Sequence, residues 1–514
     1  MKDVIIKRMG LPSLLLFLSI FAYSGKQVSF LNGGFKYIIF NDSTVRITDA
    51  GFESPVPIIE DSTLVIPSSV THNEKLYRVV SICDGAFATR PEIKHVVIND
   101  GVETISGYAF YRCPNLKSVF IPSSVSWIGS VDHEGFVGCH RLCSIKIDEK
   151  NEYFDSRENC NAVIRKEDNT LILGCIGTTI PSSVTTIGAG SFGHRLGLDS
   201  IVIPEGVKTL EPFAFNACYD LKEISLPSSL EKIGGYVFNN CLSLESITIP
   251  RHVSCIEPGV LCGCYKLKKI TVDHRNPYFD SRKECNAIID SAQDTIVAGC
   301  GRSFLFEGIK GIGSLSFANT SLQSVRIPKS VEKIAVQAFT GCNYCNSISV
   351  HPENPVYHSK EGCNAIIETS TRKLLQGCPV TSIPDDVEEI GDYAFACLSL
   401  PCYLVIPEGV KIIGTRSFSN CKGLEQVQMP ASLTLIKEFA FTTCNDLTDV
   451  DLTKSKTQIE AFAFYKCQSL RVVTFSSHPG IIDPEAFKGC SFESPIRLDK
   501  NGVCPTPPPL TTEE

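Results

Sequence analysis

The sequence predicts a β-rich solenoid, a right-handed coil with a parallel β-sheet wall and short turns or partial helices opposite. Phe recurs every 23 residues at Phe192, Phe215 and Phe238, and again at Phe395, Phe418, Phe441, Phe464 and Phe487. A Cys follows three places behind most of them, at Cys218, Cys241, Cys421, Cys444, Cys467 and Cys490. Between these marks, segments such as Leu244-x-x-Ile247-x-Ile249-Pro250 alternate with the two-residue period of a half-buried strand. A fixed period of about 20 to 50 residues means that one unit cannot bury its apolar side alone and stacks on a copy of itself.

In chain order, residues 1–24 read as a signal peptide. Lys2, Lys7 and Arg8 precede an apolar stretch from Leu11 to Ala22, and Ala22-Tyr23-Ser24 offers a small-x-small cleavage site. Residues 25–75 read as an N-terminal β cap, with paired strands around Phe35–Phe40 and Thr44–Thr48. The solenoid occupies 76–490. One coil runs Leu221-x-x-Ile224-x-Leu226-Pro227-x-x-Leu230-x-x-Ile233-Gly234-x-x-Val237-Phe238-x-x-Cys241. Its first section is a strand, and Pro ends that strand because it has no N–H for the ladder. Three longer coils, 145–180, 270–305 and 348–383, share a module that begins Asn151, Asn276 and Asn354. Each runs through Cys160-Asn-Ala, Cys285-Asn-Ala or Cys363-Asn-Ala to a Gly-Cys step at Cys175, Cys300 or Cys378. Two apolar runs around a polar turn predict a hairpin in each. Residues 491–514 form a tail, extended through Cys504-Pro-Thr-Pro-Pro-Pro509.

Several function classes find no support. The chain of 514 residues carries a net charge of −8 and no basic stripe, which argues against a nucleic-acid partner. No segment after the leader is long and apolar enough to span a bilayer, so the mature chain is expected to have no membrane-spanning segment. The ten His show no common spacing, and no metal-ligand set, phosphate loop or nucleophile–base arrangement emerges. No cofactor, metal or catalytic residue is therefore expected. The Asp155-Ser156-Arg157 and Asp280-Ser281-Arg282 steps reappear as His358-Ser359-Lys360, a drift that suits a turn pair better than catalysis.

The 24 cysteines divide into two sets. The Phe-x-x-Cys sulfurs suit buried thiols at coil corners. Cys160 with Cys175, Cys285 with Cys300 and Cys363 with Cys378 each stand 15 residues apart. In a symmetric hairpin each pair would lie opposite, so these six are either disulfide pairs of an exported protein or reduced buried groups.

What remains is the outward side of the strand wall. Phe120, Ser225, Thr248, Thr271, Arg326 and Gln428 fall on outward positions of successive strands and form the candidate binding wall.

The coil Ile-Pro-x-x-Val-x-x-Ile-Gly-x-x-Ala-Phe-x-x-Cys-x-x-Leu-x-x-Ile-x-Ile, seen from Ile180 to Ile203 and from Ile406 to Val427, resembles the BspA-like class of leucine-rich repeats. The resemblance covers about residues 75 to 490. It implies a curved parallel-β solenoid in a secreted or cell-surface protein of a host-associated microbe. It also implies a non-catalytic role in protein–protein interaction or adhesion to host extracellular-matrix or cell-surface macromolecules. The alternative is a glycan-binding module, which would call for exposed aromatic platforms. The wall offers only Phe120 for that, and the loops offer Tyr153 and Tyr278.

Overall fold

Residues that alternate in sequence alternate in burial. In the strands Ser246–Ile249 and Ser324–Ile327 the Ile and Val side chains are buried, while Ser, Thr and Arg are exposed. The computed structural model describes residues 28–49, 51, 57–129, 135–476 and 480–491. These residues form a β-solenoid with no α-helix among them. The export signal expected over 1–24 and all but the first residue of the expected tail lie outside the described residues.

The turns expected opposite the wall are present, and the partial helices are not. Two residues in a typical turn, two before and two after the Phe, sit in the left-handed region and break any helical run. Phe213 (φ 62°) and Ala217 (φ 56°) flank Phe215, and Phe439 (φ 58°) and Thr443 (φ 56°) flank Phe441.

The chain divides into two compact units, Met1–Leu244 with His252–Val260, and Glu245–Arg251 with Leu261–Glu514. Each unit carries two strand ladders. In the first, the wall runs in parallel through Thr63–Ile66, His95–Ile98, Ser118–Ile121 and Ser144–Ile147, then resumes as the pair Ser200–Val202 and Glu223–Ser225. Its other ladder begins with antiparallel strands Ser29–Asn32, Phe35–Asn41 and Thr44–Thr48, and continues in parallel through Lys75–Ile82, Thr104–Ser106 and Trp127–Gly129. A second stretch of that ladder starts at the hairpin Val163–Arg165/Thr170–Leu173 and runs in parallel from Thr186–Ile187 to Cys255–Ile256.

In the second unit the wall consists of Ser246–Ile249 with Lys269–Val272, Ser324–Ile327 with Ser347–Val350, and a four-stranded sheet. That sheet comprises Tyr403–Val405, Gln426–Gln428, Asp449–Leu452 and Val472–Phe475. The hairpins Ala287–Asp290/Thr295–Gly299 and Ile366–Glu368/Lys373–Gln376 feed its other ladder. A continuous sheet along one wall is thus not what forms. Each long coil opens on a wall strand, Ser144–Ile147, Lys269–Val272 or Ser347–Val350, and then spends its remaining residues on a hairpin that joins the other ladder, so the wall breaks after that strand.

The module asparagines explain why each hairpin starts where it does. Asn151 donates from Nδ2 to the carbonyls of Pro122 (2.8 Å) and Val125 (2.9 Å) one coil earlier, and its Oδ1 accepts the N–H groups of Tyr153 and Phe154. Asn354 does the same with Pro328, Val331, Val356 and Tyr357. A buried amide that satisfies four backbone partners fixes the turn.

The hairpins are not symmetric. A bulge in each shifts the register by one residue, between Val163 and Ile164, Ile288 and Ile289, and Ile366 and Ile367. Continued from Val163 opposite Leu173, the pairing brings Asn161 rather than Cys160 beside Cys175. Cys175 donates to the Asn161 carbonyl at 3.2 Å, and Cys160 lies by the Ser156 hydroxyl at 3.5 Å. Cys300 and Cys378 likewise reach the carbonyls of Asn286 and Asn364. The expectation that Cys160 and Cys175, Cys285 and Cys300, and Cys363 and Cys378 lie directly opposite is corrected by that one extra residue. All six are free thiols in this structure.

The core is a column of rings. Phe395, Phe418, Phe441, Phe464 and Phe487 stack with centroids 4.9 to 5.1 Å apart and planes within 8° of parallel. Each +3 Cys donates its thiol to the carbonyl of the Phe one coil earlier: Cys218 to Phe192 at 3.0 Å, Cys444 to Phe418 at 2.9 Å, Cys467 to Phe441 at 3.0 Å. The sulfur is therefore a donor as well as a small apolar filler. Where the column meets a long coil, Gly174, Gly299 or Gly377 takes the place of a ring. A Cβ there would lie 2.2, 2.1 or 2.2 Å from Phe192, Phe317 or Phe395.

Candidate functional site

The wall's outward residues are set in rows by in-register parallel pairing. Val202 stands beside Ser225, Thr248 beside Thr271, Arg326 beside Ser349, and Gln428 between Val405 and Asp451. Ser225, Thr248, Arg326 and Gln428 are exposed, and Phe120 and Thr271 are half-buried. The hydroxyls of Thr248 and Thr271 bond at 2.8 Å. Of the six candidate wall residues, only these two are neighbours in one sheet. The others occupy separate wall segments, so the six do not form one convergent site.

Two of them line local grooves in the second unit. Arg326 borders a hollow of about 240 Å³ with Ser303, Phe304 and Ser324. Gln428 borders one of about 430 Å³ with Tyr403, Gln426, Asp449, Asp451 and Thr474. Tyr403 is half exposed and donates its hydroxyl to Gln428 Oε1 at 2.6 Å. Burial alone would raise the Asp451 carboxyl, but hydrogen bonds from Thr453 and Thr474 outweigh it and hold the group below its usual range. It is therefore an anion at neutral pH. The groove presents amides, carboxylates, a hydroxyl and one ring, a chemistry of hydrogen bonding rather than of bond breaking.

The charged steps of the hairpin modules are clamps. Arg157 reaches Asp155 at 2.8 Å and Asn169 at 2.9 Å, and Arg282 reaches Asp280 at 2.9 Å and Asp294 at 3.0 Å. In the third copy Lys360 meets Asp386 at 2.9 Å instead. The two Arg clamps tie the segment before the hairpin to the hairpin's own turn, and Lys360 ties the third module to the following coil. Burial pushes the Cys218 thiol up to about 12 and the Cys342 thiol up to about 11, which removes at those two corners the thiolate a nucleophile requires. Among the described residues no cluster of three or more His, Cys, Asp or Glu could hold a metal, and no helix is long and apolar enough to cross a membrane.

The sequence reading missed two features. Aromatic residues at the left-handed turn positions stack along the coil corners, Phe213 on Tyr236 at 5.3 Å and Phe439 on Phe462 at 5.2 Å. Their faces are spent on each other. The second is a cationic corner formed by Arg112, His140 and His194. It escaped because Phe110 and Phe136 stand 26 residues apart and Phe136 and Phe192 stand 56 apart, so the 23-residue spacing does not relate Arg112 and His194, each two places after a Phe, to His140, four places after its own.

The BspA type leucine rich repeat region matches this chain in six copies over residues 66–165, 175–283, 303–365 and 368–495. Solved structures similar to it include a leucine rich cell surface protein from Faecalibacterium prausnitzii A2-165, at 20% identity and a TM-score of 0.36 over 92% of this chain and 96% of that one. A leucine-rich repeat protein from Bacteroides ovatus ATCC 8483 is 21% identical, with a TM-score of 0.33 over 91% and 99% of the two chains. The pneumococcal vaccine antigen PcpA is 16% identical, with a TM-score of 0.32 over 91% and 88%. No curated protein matches the chain.

Proposed function

The chain belongs to the BspA-type leucine-rich repeat family, and from that premise we propose that it is a non-catalytic secreted or cell-surface protein that binds through its strand wall. Its partner class is a host extracellular-matrix or cell-surface protein. Repeats of this kind generally act as binding modules, and the observation that carries the reading is the wall itself. Inward Ile and Val are buried while Ser225, Thr248, Arg326 and Gln428 stand exposed, each on a strand paired in register within its own wall segment, open polar surface of the sort solenoids use for large ligands. Export rests on the leader pattern of residues 1–24.

The test is surface binding of the chain lacking residues 1–24 to immobilised matrix proteins. Substitutions Arg326→Glu and Gln428→Lys on the wall should weaken capture, and Lys466→Glu at a turn corner should not. Capture that ignores the wall changes would move the interface elsewhere.

One observation favours the glycan alternative, the open Tyr403 ring beside Gln426, Gln428 and Asp449. The Phe439–Phe462 corner does not add to it, because the two rings stack on each other and carry Arg416 and Lys488 over them. Retention of Tyr403→Phe but loss of Tyr403→Ala on a neutral-glycan array would support that reading.

A further inference from the structure

The long coil at 145–180 leaves a seam at the turn corner of the first unit, where the coils before and after it meet directly. His140 Nδ1 donates to the His194 carbonyl at 2.8 Å, and the two imidazole rings lie 6.0 Å apart. Arg112 lies across Gly138, whose absent side chain makes the room: a Cβ there would be 2.9 Å from Arg112 Cγ. Behind them Arg195 takes the +3 position usually held by Cys. It is 1% exposed and spends its guanidinium on the carbonyls of Gly174 (2.9 Å), Gly193 (3.2 Å) and Cys139 (3.3 Å). Neither guanidinium and neither imidazole has a carboxylate partner among the described residues, although the chain's net charge is −8. The other two long coils place Tyr265 with Asn319, and Asn343 with Cys397, at the positions of His140 and His194, so the cationic corner is peculiar to the first seam.

The groove here has a volume of about 480 Å³, with Pro91, Pro114 and Tyr219 beside the three polar side chains. We propose that this corner binds an acidic saccharide, its carboxylate or sulfate held by Arg112, His140 and His194 and its ring laid against Pro114 and Tyr219. Guanidinium and imidazole donors suit an oxyanion, and proline and tyrosine faces suit the apolar side of a sugar. The site stands on the turn corner and is independent of the wall reading.

Burial, then His140, Arg112 and Arg195, hold the His194 imidazole below its usual range, so the empty site keeps it neutral near pH 7. A bound anion offsets those neighbours and favours the imidazolium.

The experiment is saturation-transfer NMR on the chain lacking residues 1–24, with N-acetylneuraminic acid, N-acetylglucosamine 6-sulfate and N-acetylglucosamine as probes. Inorganic sulfate and an oligoglutamate peptide serve as competitors. Substitutions Arg112→Asn and His194→Asn install the residue type that the same turn position already carries at Asn240, Asn319 and Asn420, and His140→Asn copies Asn343, so the fold tolerates them. One or both acidic sugars should give signal and the neutral sugar none, and each substitution should weaken binding about tenfold, the effect of one charge-assisted hydrogen bond. Affinity should rise as pH falls from about 8 to about 5.5 and the His194 imidazole protonates. Signal from a carboxylate sugar alone or a sulfate sugar alone identifies the anion and supports the site. Equal binding of the neutral sugar, unaltered binding by the variants, no rise at low pH, or displacement by sulfate or oligoglutamate at concentrations matching the sugars would each overturn it.

Discussion

In the second unit, Phe441 lies between Phe418 at 4.9 Å and Phe464 at 5.1 Å, whereas Phe395 has Phe418 on one side and Gly377 on the other. The two settings carry different residues three places on. Behind Phe441 stands Cys444, whose thiol bonds the Phe418 carbonyl. Behind Phe395 stands Leu398, because the preceding coil is a hairpin and presents no Phe carbonyl. There the Gly377 carbonyl takes the Gln376 amide at 2.8 Å. The same rule accounts for Arg195 behind Phe192 and Thr320 behind Phe317, which also follow long coils. Cys is thus read out by the coil before it, and a missing Cys marks a coil with no Phe carbonyl ahead of it, at a seam or, as with Arg90 behind Phe87, at the start of the solenoid.

If ring stacking holds the ordinary coils, Phe441→Ala should be the most damaging substitution, costing about 4 kcal/mol for a fully buried ring. Phe395→Ala should cost about 1 kcal/mol less, since it gives up one ring partner instead of two. Denaturant unfolding followed by circular dichroism measures both. Equal losses would show that burial alone matters and that the stacks add nothing.

The seam has its own weak point. Gly377→Ala should cost about 3 kcal/mol, because the new methyl overlaps the Phe395 ring and the close-packed core cannot give way. The same change at Gly177, where nothing lies close but the Asn161 amide at 3.8 Å, meets no ring and suffers only backbone strain at φ 83°. Combining Gly377→Ala with Phe395→Leu should recover part of the loss, and strict additivity would place the damage elsewhere.

The thiol is worth less. Cys467→Val should cost about 1 kcal/mol, since the Phe441 carbonyl also accepts the Cys444 N–H at 3.2 Å and loses only its second donor. The mirror change, Leu398→Cys at the seam, should gain nothing. A stabilised Leu398→Cys protein would mean that sulfur fits the corner by shape alone.

This comparison also marks how far the sequence could be read. Periodicity exposed the coil, the outward wall positions and the hairpin modules, because burial repeats with the strand period and Pro250 or Pro328 closes a strand by its own chemistry. The Phe-x-x-Cys spacing was visible, but its hydrogen bond was not, since donor and acceptor sit on different coils. The bulges left no mark, because an extra residue in one strand is defined only by its partner, and that displaced Cys160 from Cys175. The break of the wall followed from counting strands through a hairpin, which no local pattern reveals. Arg112, His140 and His194 looked scattered for a related reason. A three-residue insertion before Phe136 and then the long coil shift the frame between them.

The smallest effect separates seam from ordinary coil through charge. Glu389 stands in the coil that follows the third hairpin, with Lys373 of the hairpin strand at 3.0 Å and Lys437 of a later coil at 3.2 Å. Burial alone would raise its carboxyl, but the two ammonium groups outweigh it and hold it below the usual range. A carboxylate depressed in this way stabilises the fold above its unfolded value of about 4.3 and loses that contribution as pH falls through the folded value. Glu389→Gln should therefore be less stable than the parent near neutral pH, and the two should converge as pH falls through the folded value or in about 1 M salt. Glu353, paired once with Lys329 at 2.9 Å on an open surface, should show almost no such gap. If Glu353→Gln matches Glu389→Gln, the double pairing at the seam is no staple, and the hairpin is held by its backbone and its asparagine alone.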